Sequence, residues 1–250
     1  MKFFLALPLL LVAKNVEGYS GLPHPLALAS SFSHIYDQLD KINIGNCSLR
    51  NVSLSLNATK EQLPVPSTNL TLKYVALGRG TQNYTCPSNA SSDSKTTVKP
   101  KATGAAATLF DASCIASSSL ALLHEVPALI SATPLGSLAF MATLVAQGTR
   151  STNLIIGEHY FDADGEPIFD MGLSGSKSWV AASKIASSPA PKSKSKSSGD
   201  VPWLKLGHKK GKGIQEVYRV VTSQGDAPST CAGQKTMIQV DYAAEYWFYG

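Results

Sequence analysis

The 250-residue chain lacks the short signatures that usually reveal an activity. It contains no Cys-x-x-Cys pair, no His-x-His or His-Glu-x-x-His spacing and no Gly-x-Gly-x-x-Gly fingerprint. These absences argue against a zinc site and a dinucleotide-binding domain, because both need their ligands at a fixed spacing. Residues 172–176 miss the Gly-x-Ser-x-Gly pattern of a nucleophile elbow by one residue. We therefore expect no cofactor, and an enzyme is the less favoured interpretation.

A long apolar segment without interruption is also missing. Lys2 precedes an apolar run, residues 3–13, that is too short to span a bilayer. The charged start, the short apolar core and the compact residues up to Gly18 are typical of a signal peptide. We expect residues 1–18 to be removed, so that the mature chain begins near Tyr19. The protein is then secreted, to the extracellular space or the cell wall, and the mature chain has no membrane span.

N-glycosylation acceptors crowd the region that follows. The chain contains six Asn-x-Ser/Thr sequons, at Asn46, Asn51, Asn57, Asn69, Asn83 and Asn89. Such a motif has meaning in a secreted chain, where glycans mark exposed surface. Loosely alternating apolar residues over 46–72 predict exposed strands with glycans on the wet face. We therefore place an N-terminal glycosylated extension at residues 19–62 and a β-domain at residues 63–250.

Cysteine is scarce, with four residues in the chain: Cys47, Cys86, Cys114 and Cys231. An even number of cysteines in an oxidising compartment predicts two disulfide bonds. Four cysteines allow three connectivities, and the sequence does not choose between them. We favour Cys86 with Cys114 and Cys47 with Cys231.

Acidic residues are nearly absent from one part of the chain. Residues 176–213 contain nine lysines and a single acid, Asp200. Within them, the Lys/Ser/Pro-rich segment at residues 187–200 is typical of a solvated loop. Its lysines, and those at residues 209–212, could instead attract an anionic wall polymer. Nucleic acid is a poor partner for a secreted glycoprotein.

Short apolar segments separated by turn residues dominate the rest of the chain. They predict strands at residues 73–77, 82–86, 105–111, 154–156, 159–161, 168–171, 178–186, 201–206, 217–222, 238–242 and 245–249. Gly78 to Gly80 predicts a bulge or turn, and Asp162 to Gly165 predicts a tight hairpin. Many short strands with turns between them predict an all-β fold, either an antiparallel sandwich or a barrel.

One nearly uncharged segment interrupts the strand pattern. Residues 117–147 are rich in Ala, Leu and Ser and contain two prolines. They predict a short helical insertion, with helices at residues 120–126 and 135–146, that packs on the sheet. A membrane span over residues 126–147 is the alternative, and the prolines and hydroxyl side chains argue against it.

Several blocks of the chain resemble a known family in order and spacing: residues 73–86, 107–111, 159–161, 201–206, 217–220, 227–231 and 242–249. On these blocks the chain resembles the secreted fungal and bacterial family named domain of unknown function 3455, from about Leu63 to the C-terminus. The resemblance implies a secreted protein of fungal type and supplies no catalytic residues. Some relatives bear a malate dehydrogenase label, which the missing dinucleotide fingerprint does not support.

The densest polar chemistry lies in residues 158–170. His159 with Asp162 or Asp164 could act as base and acid in a hydrolase. Four carboxylates alternate as oxygen ligands of calcium do: Asp162, Asp164, Glu166 and Asp170. The twelfth position of that loop is Leu173 rather than an acid, so a solvated hairpin turn is the plainer interpretation.

Aromatic residues are concentrated near the C-terminus, and four are candidates for binding: Trp203, Tyr246, Trp247 and Tyr249. Exposed rings on a β-face can stack against sugars, while packing under the helical insertion is the alternative. We expect a non-catalytic extracellular or cell-wall domain that binds a glycan, another surface polymer or a host surface. A secreted hydrolase using His159 and a structural or antigenic wall protein are the alternative hypotheses.

Overall fold

The computed structural model of the protein describes residues 42, 47–57, 61–88, 97–149, 154–191 and 199–250. Within them, eight antiparallel strands form a closed barrel in which each strand pairs with the next and β8 pairs with β1. The strands are β1 (Leu72–Thr85), β2 (Lys101–Asp111), β3 (Ile155–Phe161), β4 (Pro167–Asp170), β5 (Trp179–Ser188), β6 (Trp203–Lys212), β7 (Glu216–Gln224) and β8 (Met237–Tyr249). The predicted all-β fold is confirmed, and the barrel is its form.

β1 continues without interruption through the glycines where the sequence predicted a bulge or turn. A Cβ atom at Gly78 would collide with the Tyr246 ring, and one at Gly80 would collide with the backbone of Ala106. The two glycines therefore permit close approach of neighbouring groups instead of ending the strand. β8 is likewise one strand where two were predicted.

The middle of β1, most of β7 and the second half of β8 are buried on both faces. On β8, Tyr246 and Phe248 face the interior core of the barrel, whereas Trp247 and Tyr249 face a second core on the outer surface. The sequence of a strand that is covered on both faces is continuously apolar, instead of alternating between apolar and polar residues. This double burial explains the dense aromatic cluster at the C-terminus.

Helices cover part of the outer surface. Those after β2 are α1 (Ser113–Ser118), α2 (Leu120–Ile130) and α3 (Leu135–Thr149). The predicted helical insertion is confirmed, and α2 lies against β1, β7 and β8. Among the described residues, no helix is long and apolar enough to cross a membrane, and the candidate span at 126–147 is divided between α2 and α3.

The chain before β1 packs on the same outer surface without pairing as a strand. The described residues before β1, 47–57 and 61–71, contain no strand, so the strands predicted there are wrong. A closed barrel has no free edge to which a further strand could add. The alternation is nevertheless real, because four leucine and valine side chains turn toward the outer core: Leu49, Val52, Leu54 and Leu56.

Four of the sequon asparagines lie within the described residues. Asn51, Asn57 and Asn69 are exposed, and Asn83 is half-buried in β1. The predicted signal peptide, two sequons and the lysines of the predicted loop lie outside the described residues: residues 1–18, Asn46, Asn89, Lys192, Lys194 and Lys196. The three exposed asparagines are accessible to glycosylation without disturbing the barrel.

Two disulfides join Cys47 to Cys114 and Cys86 to Cys231. The pairing favoured from the sequence is wrong, because it would connect opposite ends of the barrel. Cys86 follows β1 at the end where β2 begins, whereas Cys114 follows the other end of β2. An extended strand of 11 residues separates these two ends, a distance of about 35 Å. No disulfide spans such a distance.

Candidate functional site

The barrel contains a cavity of about 810 Å³ that opens beside the β1–β2, β3–β4 and β5–β6 connections. Apolar side chains form most of its wall: Ala105, Phe161, Phe169, Ala182, Leu204 and Leu206. Alanine at inward positions of β2 and β5 leaves space that larger side chains would fill. At the opposite end of the barrel, core residues such as Tyr74 and Phe248 occupy the interior. The cavity therefore has one open end and an apolar body.

A buried cation, Arg219, lies on the cavity wall. Its side chain projects inward from β7 and the residue is 8% exposed. Nη2 donates a hydrogen bond to the carbonyl oxygen of Pro202 (2.9 Å), while Nε has no partner among the described residues. The ion pairs within this part of the chain do not include Arg219. A desolvated charge without a counter-ion is costly, so this position calls for an explanation.

Other polar side chains continue the wall beside Arg219. The hydroxyl oxygens of Tyr242 and Tyr246 lie 2.8 Å apart. Burial raises the pKa of Tyr246, and the nearby positive charge of Arg219 opposes that shift. Gln82 also borders the cavity, and its buried Nε2 has no hydrogen-bond partner among the described residues. Two poorly satisfied donors, which interact with the Tyr242 and Tyr246 hydroxyls, thus belong to the same cavity wall.

His159 is buried in the wall as a neutral imidazole. Its ring stacks on Phe169, with 4.2 Å between ring centroids and 6° between planes. Nδ1–H donates to the carbonyl oxygen of Ile168 (2.8 Å), which assigns Nε2 as the unprotonated nitrogen. Burial is the main cause that lowers the pKa of His159 to about 4. The hydrogen bond to Ile168 raises this pKa, and the positive charge of Arg219 lowers it further.

The structure does not bring His159 together with its predicted acid partners. Asp162 and Asp164 belong to the β3–β4 turn, and the His159 ring lies among aromatic side chains of the interior. Asp162 Oδ1 accepts hydrogen bonds from the backbone N–H groups of Asp164 (3.0 Å) and Glu166 (2.9 Å). The carboxylate stabilises the turn, and the predicted acid–base pair is not formed.

The predicted calcium ligands are engaged separately. Asp162 accepts from the turn backbone, Glu166 pairs with Lys209, and Asp170 Oδ1 accepts from the N–H of Gly172 (2.8 Å). No group of three or more His, Cys, Asp and Glu in the described part of the chain could hold a metal ion. β3 and β4 pair as an antiparallel hairpin, which confirms the simple turn predicted for these residues.

The four aromatic residues predicted for binding are buried. Their exposed fractions are 3% for Trp203, 1% for Tyr246, 0% for Trp247 and 6% for Tyr249. Trp203, Trp247 and Tyr249 belong to the outer core, so they present no open face to a polymer. Tyr246 instead borders the interior cavity. The outer core that covers these three residues includes side chains of the helices, the alternative weighed from the sequence, and of the segment before β1.

Lysines surround the opening of the cavity. Lys101, Lys184 and Lys209 are exposed and border it. Glu166 is the acid among these lining residues, and it pairs with Lys209. Asp162 and Asp164 in the adjacent β3–β4 turn also act on Lys209, so basic and acidic side chains are mixed around the opening.

Sequence reasoning missed Arg219 and Gln82. Val217 and Arg219 share the inward face of β7, and Tyr218 and Val220 share the outward face. A charged residue within such a continuous apolar strand is the signal that could have found Arg219, because both strand faces are otherwise apolar.

These features define a closed antiparallel β-barrel protein with an interior cavity that is open at one end. The chain belongs to the family described as a protein of unknown function, DUF3455, which matches residues 66–250. The match confirms the resemblance seen in the sequence. Comparison with curated proteins and with solved structures gave no match. The family supplies no activity, so a function must be inferred from the cavity itself.

Proposed function

We propose that the protein is a non-catalytic binding domain that holds a small, largely apolar ligand inside the barrel. The observation that carries this proposal is the open cavity of about 810 Å³. Ligand pockets commonly have such a volume, a mostly apolar wall and a few convergent polar groups. Phe161 and Leu204 supply apolar wall, and Gln82 and Arg219 supply polar groups.

We place this binding function outside the cell or in the cell wall. Two disulfides support this location, because disulfides persist in oxidising compartments. The exposed Asn51, Asn57 and Asn69 provide acceptors for glycans, and the predicted signal peptide supplies the route. Mass spectrometry of the secreted protein tests the location. We expect a mature N-terminus near Tyr19 and glycans on these three asparagines.

Titration with the neutral, apolar fluorophore N-phenyl-1-naphthylamine tests the binding proposal. We expect saturable fluorescence enhancement with the mature, oxidised protein. Ala105→Leu and Ala182→Leu add bulk inside the cavity, where both residues line the wall. Each should weaken probe binding by about tenfold or more, as small steric changes in pockets do. Ala105 and Ala182 are 5% and 1% exposed, so the thermal midpoint of each variant is compared with that of the parent to separate lost binding from lost packing.

The matched control is Ala128→Leu, since Ala128 is exposed on α2. This variant should bind the probe like the parent protein. Phe140, Met141 and Leu144 are exposed on α3 and offer the probe an alternative site, which Phe140→Ser removes. Probe binding that survives both cavity variants but disappears in Phe140→Ser would overturn the proposal. So would a complete failure of the parent to bind the probe.

A second candidate function is association with an anionic polymer of the cell wall or a host surface. The observation that favours it is the exposed run Lys209, Lys210 and Lys212 on β6. We expect retention on phosphomannan at low salt and release at high salt, because exposed charges are screened. Replacing the three lysines by glutamine should abolish retention. Retention on chitin or β-glucan that persists at high salt would contradict this electrostatic origin. If the protein bound neither the fluorescent probe nor any polymer, a structural role in the wall would be favoured.

A further inference from the structure

Two donors on the cavity wall are poorly satisfied. Arg219 Nε and Gln82 Nε2 are both buried and form no hydrogen bond of ordinary length and angle among the described residues, although the Arg219 side chain interacts with the Tyr246 hydroxyl and the Gln82 side chain with the Tyr242 hydroxyl. Leaving a buried donor unsatisfied costs free energy, and leaving a buried cation without an anion costs more. Both residues border the same cavity. A ligand that supplies acceptors there would offset both penalties.

The nearest acids do not neutralise Arg219. Burial raises the pKa of Asp226, the Asp200 charge adds to that rise, and the Arg219 charge opposes it. Asp226 is therefore within electrostatic reach of Arg219, yet the ion pairs of the described residues include neither. Asp200 Oδ1 accepts the backbone N–H of Gln224 (2.7 Å). The Arg219 guanidinium thus keeps room for an external anion.

Glu166 is the other charged group of low exposure on the wall, and it pairs with Lys209 near the opening. His159 is neutral at physiological pH, since burial is the main cause of its low pKa. Tyr246 remains a neutral phenol because burial raises its pKa. The lysines at the opening, Lys101 and Lys184, are exposed and surrounded by solvent. One buried positive charge therefore faces a mainly apolar cavity.

We propose that the cavity ligand is an amphipathic monocarboxylate whose anionic head pairs with Arg219 and accepts a hydrogen bond from Gln82. Its apolar part lies against side chains such as Phe161, Leu204 and Leu206. A planar guanidinium matches the two oxygens of a carboxylate, and a single buried cation balances a single negative charge better than a dianionic phosphate. This inference rests on the proposed function and specifies its ligand class.

Displacement of N-phenyl-1-naphthylamine by matched ten-carbon compounds tests the ligand class. The compounds are decanoate, decanol, decylamine and decyl phosphate, which share a chain and differ in the head group. We expect decanoate to displace the probe at concentrations about 10- to 100-fold lower than decanol, as charge-assisted hydrogen bonds predict. Decylamine should be the weakest competitor, and decyl phosphate should be weaker than decanoate.

Arg219→Met tests the residue assignment. It should lose the preference for decanoate over decanol, and Arg219→Lys should keep part of that preference. A cooperative thermal unfolding transition shows that each variant is folded. Lys210→Gln is the matched control, because Lys210 is exposed and does not line the cavity. The Lys101→Gln/Lys184→Gln double variant should lose only the salt-sensitive part of decanoate binding.

The possible results separate the inference from the proposed function. Equal displacement by decanoate and decanol in the parent would overturn the carboxylate assignment while leaving interior binding intact. A decanoate preference that persists in Arg219→Met would remove Arg219 as the recognising residue. If the parent does not bind the neutral probe, the proposed function fails and the inference fails with it.

Discussion

Buried charges on the outer surface of the barrel are paired, whereas the buried charge inside the cavity is not. On the outer surface, Arg79 contacts Asp241 at 3.1 Å and Glu245 contacts His124 at 2.7 Å. Lys205 and Glu216 form a third outer pair at 3.0 Å, while Arg219 inside has no such partner among the described residues. The difference indicates two roles, since paired charges hold covering segments on the barrel and the unpaired one is available to a ligand.

The outer pairs attach the segments that cover the barrel. Lys205 Nζ donates to the carbonyl oxygen of Val65 (2.9 Å), and Glu216 accepts hydrogen bonds from Ser67 N–H (3.2 Å) and Oγ–H (2.7 Å). Arg79 Nε donates to the carbonyl oxygens of Ile130 (3.0 Å) and Thr133 (3.1 Å) at the end of α2. These cationic contacts satisfy carbonyl groups that a helix end and an irregular segment leave without partners.

Breaking the Lys205–Glu216 pair should have the largest effect on stability. Lys205→Met leaves the Glu216 carboxylate without its cation, and we expect a loss of about 3 kcal/mol in the free energy of unfolding. Although burial raises the pKa of Glu216, hydrogen bonds from Ser67 and Lys205 outweigh it and hold the pKa below 4.5. This stabilisation is present above pH 4.5 and is lost as the pH falls through the lowered pKa.

Urea unfolding at neutral and acid pH measures this effect, with the exposed-site variant Lys210→Met as control. Adding Glu216→Leu to Lys205→Met should restore most of the stability, because the uncompensated charge is then removed. If the Lys205→Met protein were as stable as the parent, the Lys205–Glu216 pair would not hold the segment before β1.

The His124–Glu245 contact should have a smaller, pH-dependent effect. The hydrogen bond to Glu245 is the main cause that raises the pKa of His124 above 6.5, against the effect of burial. A raised folded-state pKa stabilises the protein fully below pH 6.5, and this contribution is lost as the pH rises through the raised value. His124 is half-buried, so we expect His124→Gln to cost about 1 kcal/mol or less at low pH.

Thermal unfolding across pH 5–8, the range in which histidine titrates, measures this contribution. The difference between the parent and His124→Gln should shrink toward the alkaline end. His208→Gln, at an exposed position on β6, is the matched control. A constant difference across the range would indicate a packing role for His124 in place of an ionic one.

Removing the interior charge should have the smallest effect and the opposite sign. We expect Arg219→Met to leave stability within about 1 kcal/mol of the parent, on the stabilising side, because it removes an uncompensated buried charge. Urea unfolding of the ligand-free protein measures the difference. A loss as large as that of Lys205→Met would show that Arg219 is a structural residue and would end the contrast between the two regions.

Patterns within single segments predicted much of the fold. Alternating and continuous apolar runs predicted the strands, and Asp162 to Gly165 predicted the β3–β4 hairpin. The uncharged segment with two prolines predicted the helical insertion. These features are local, because hydrogen bonding and side-chain direction repeat over a few residues. The glycines of β1 were misread, since their packing neighbours come from β2 and β8.

The candidate site was much less predictable. His159 was recognised as a residue of interest, but its neighbours were assigned from the adjacent turn, while the structure surrounds it with Phe169, Tyr246 and the charge of Arg219. Residues of an interior cavity come from strands that are distant in sequence. Their convergence depends on barrel closure, which no local pattern encodes.

The sequence by itself determined most of the secondary structure, the number of disulfides and the family, because each depends on residue types and their spacing along the chain. Tertiary structure alone decided which cysteines pair, which aromatic faces are covered and where an unpaired cation borders a cavity. Closure of the barrel gives every strand an inside and an outside, and the helices cover part of the outside. Side chains that alternate along one strand are thereby divided between a stabilising outer core and a ligand cavity.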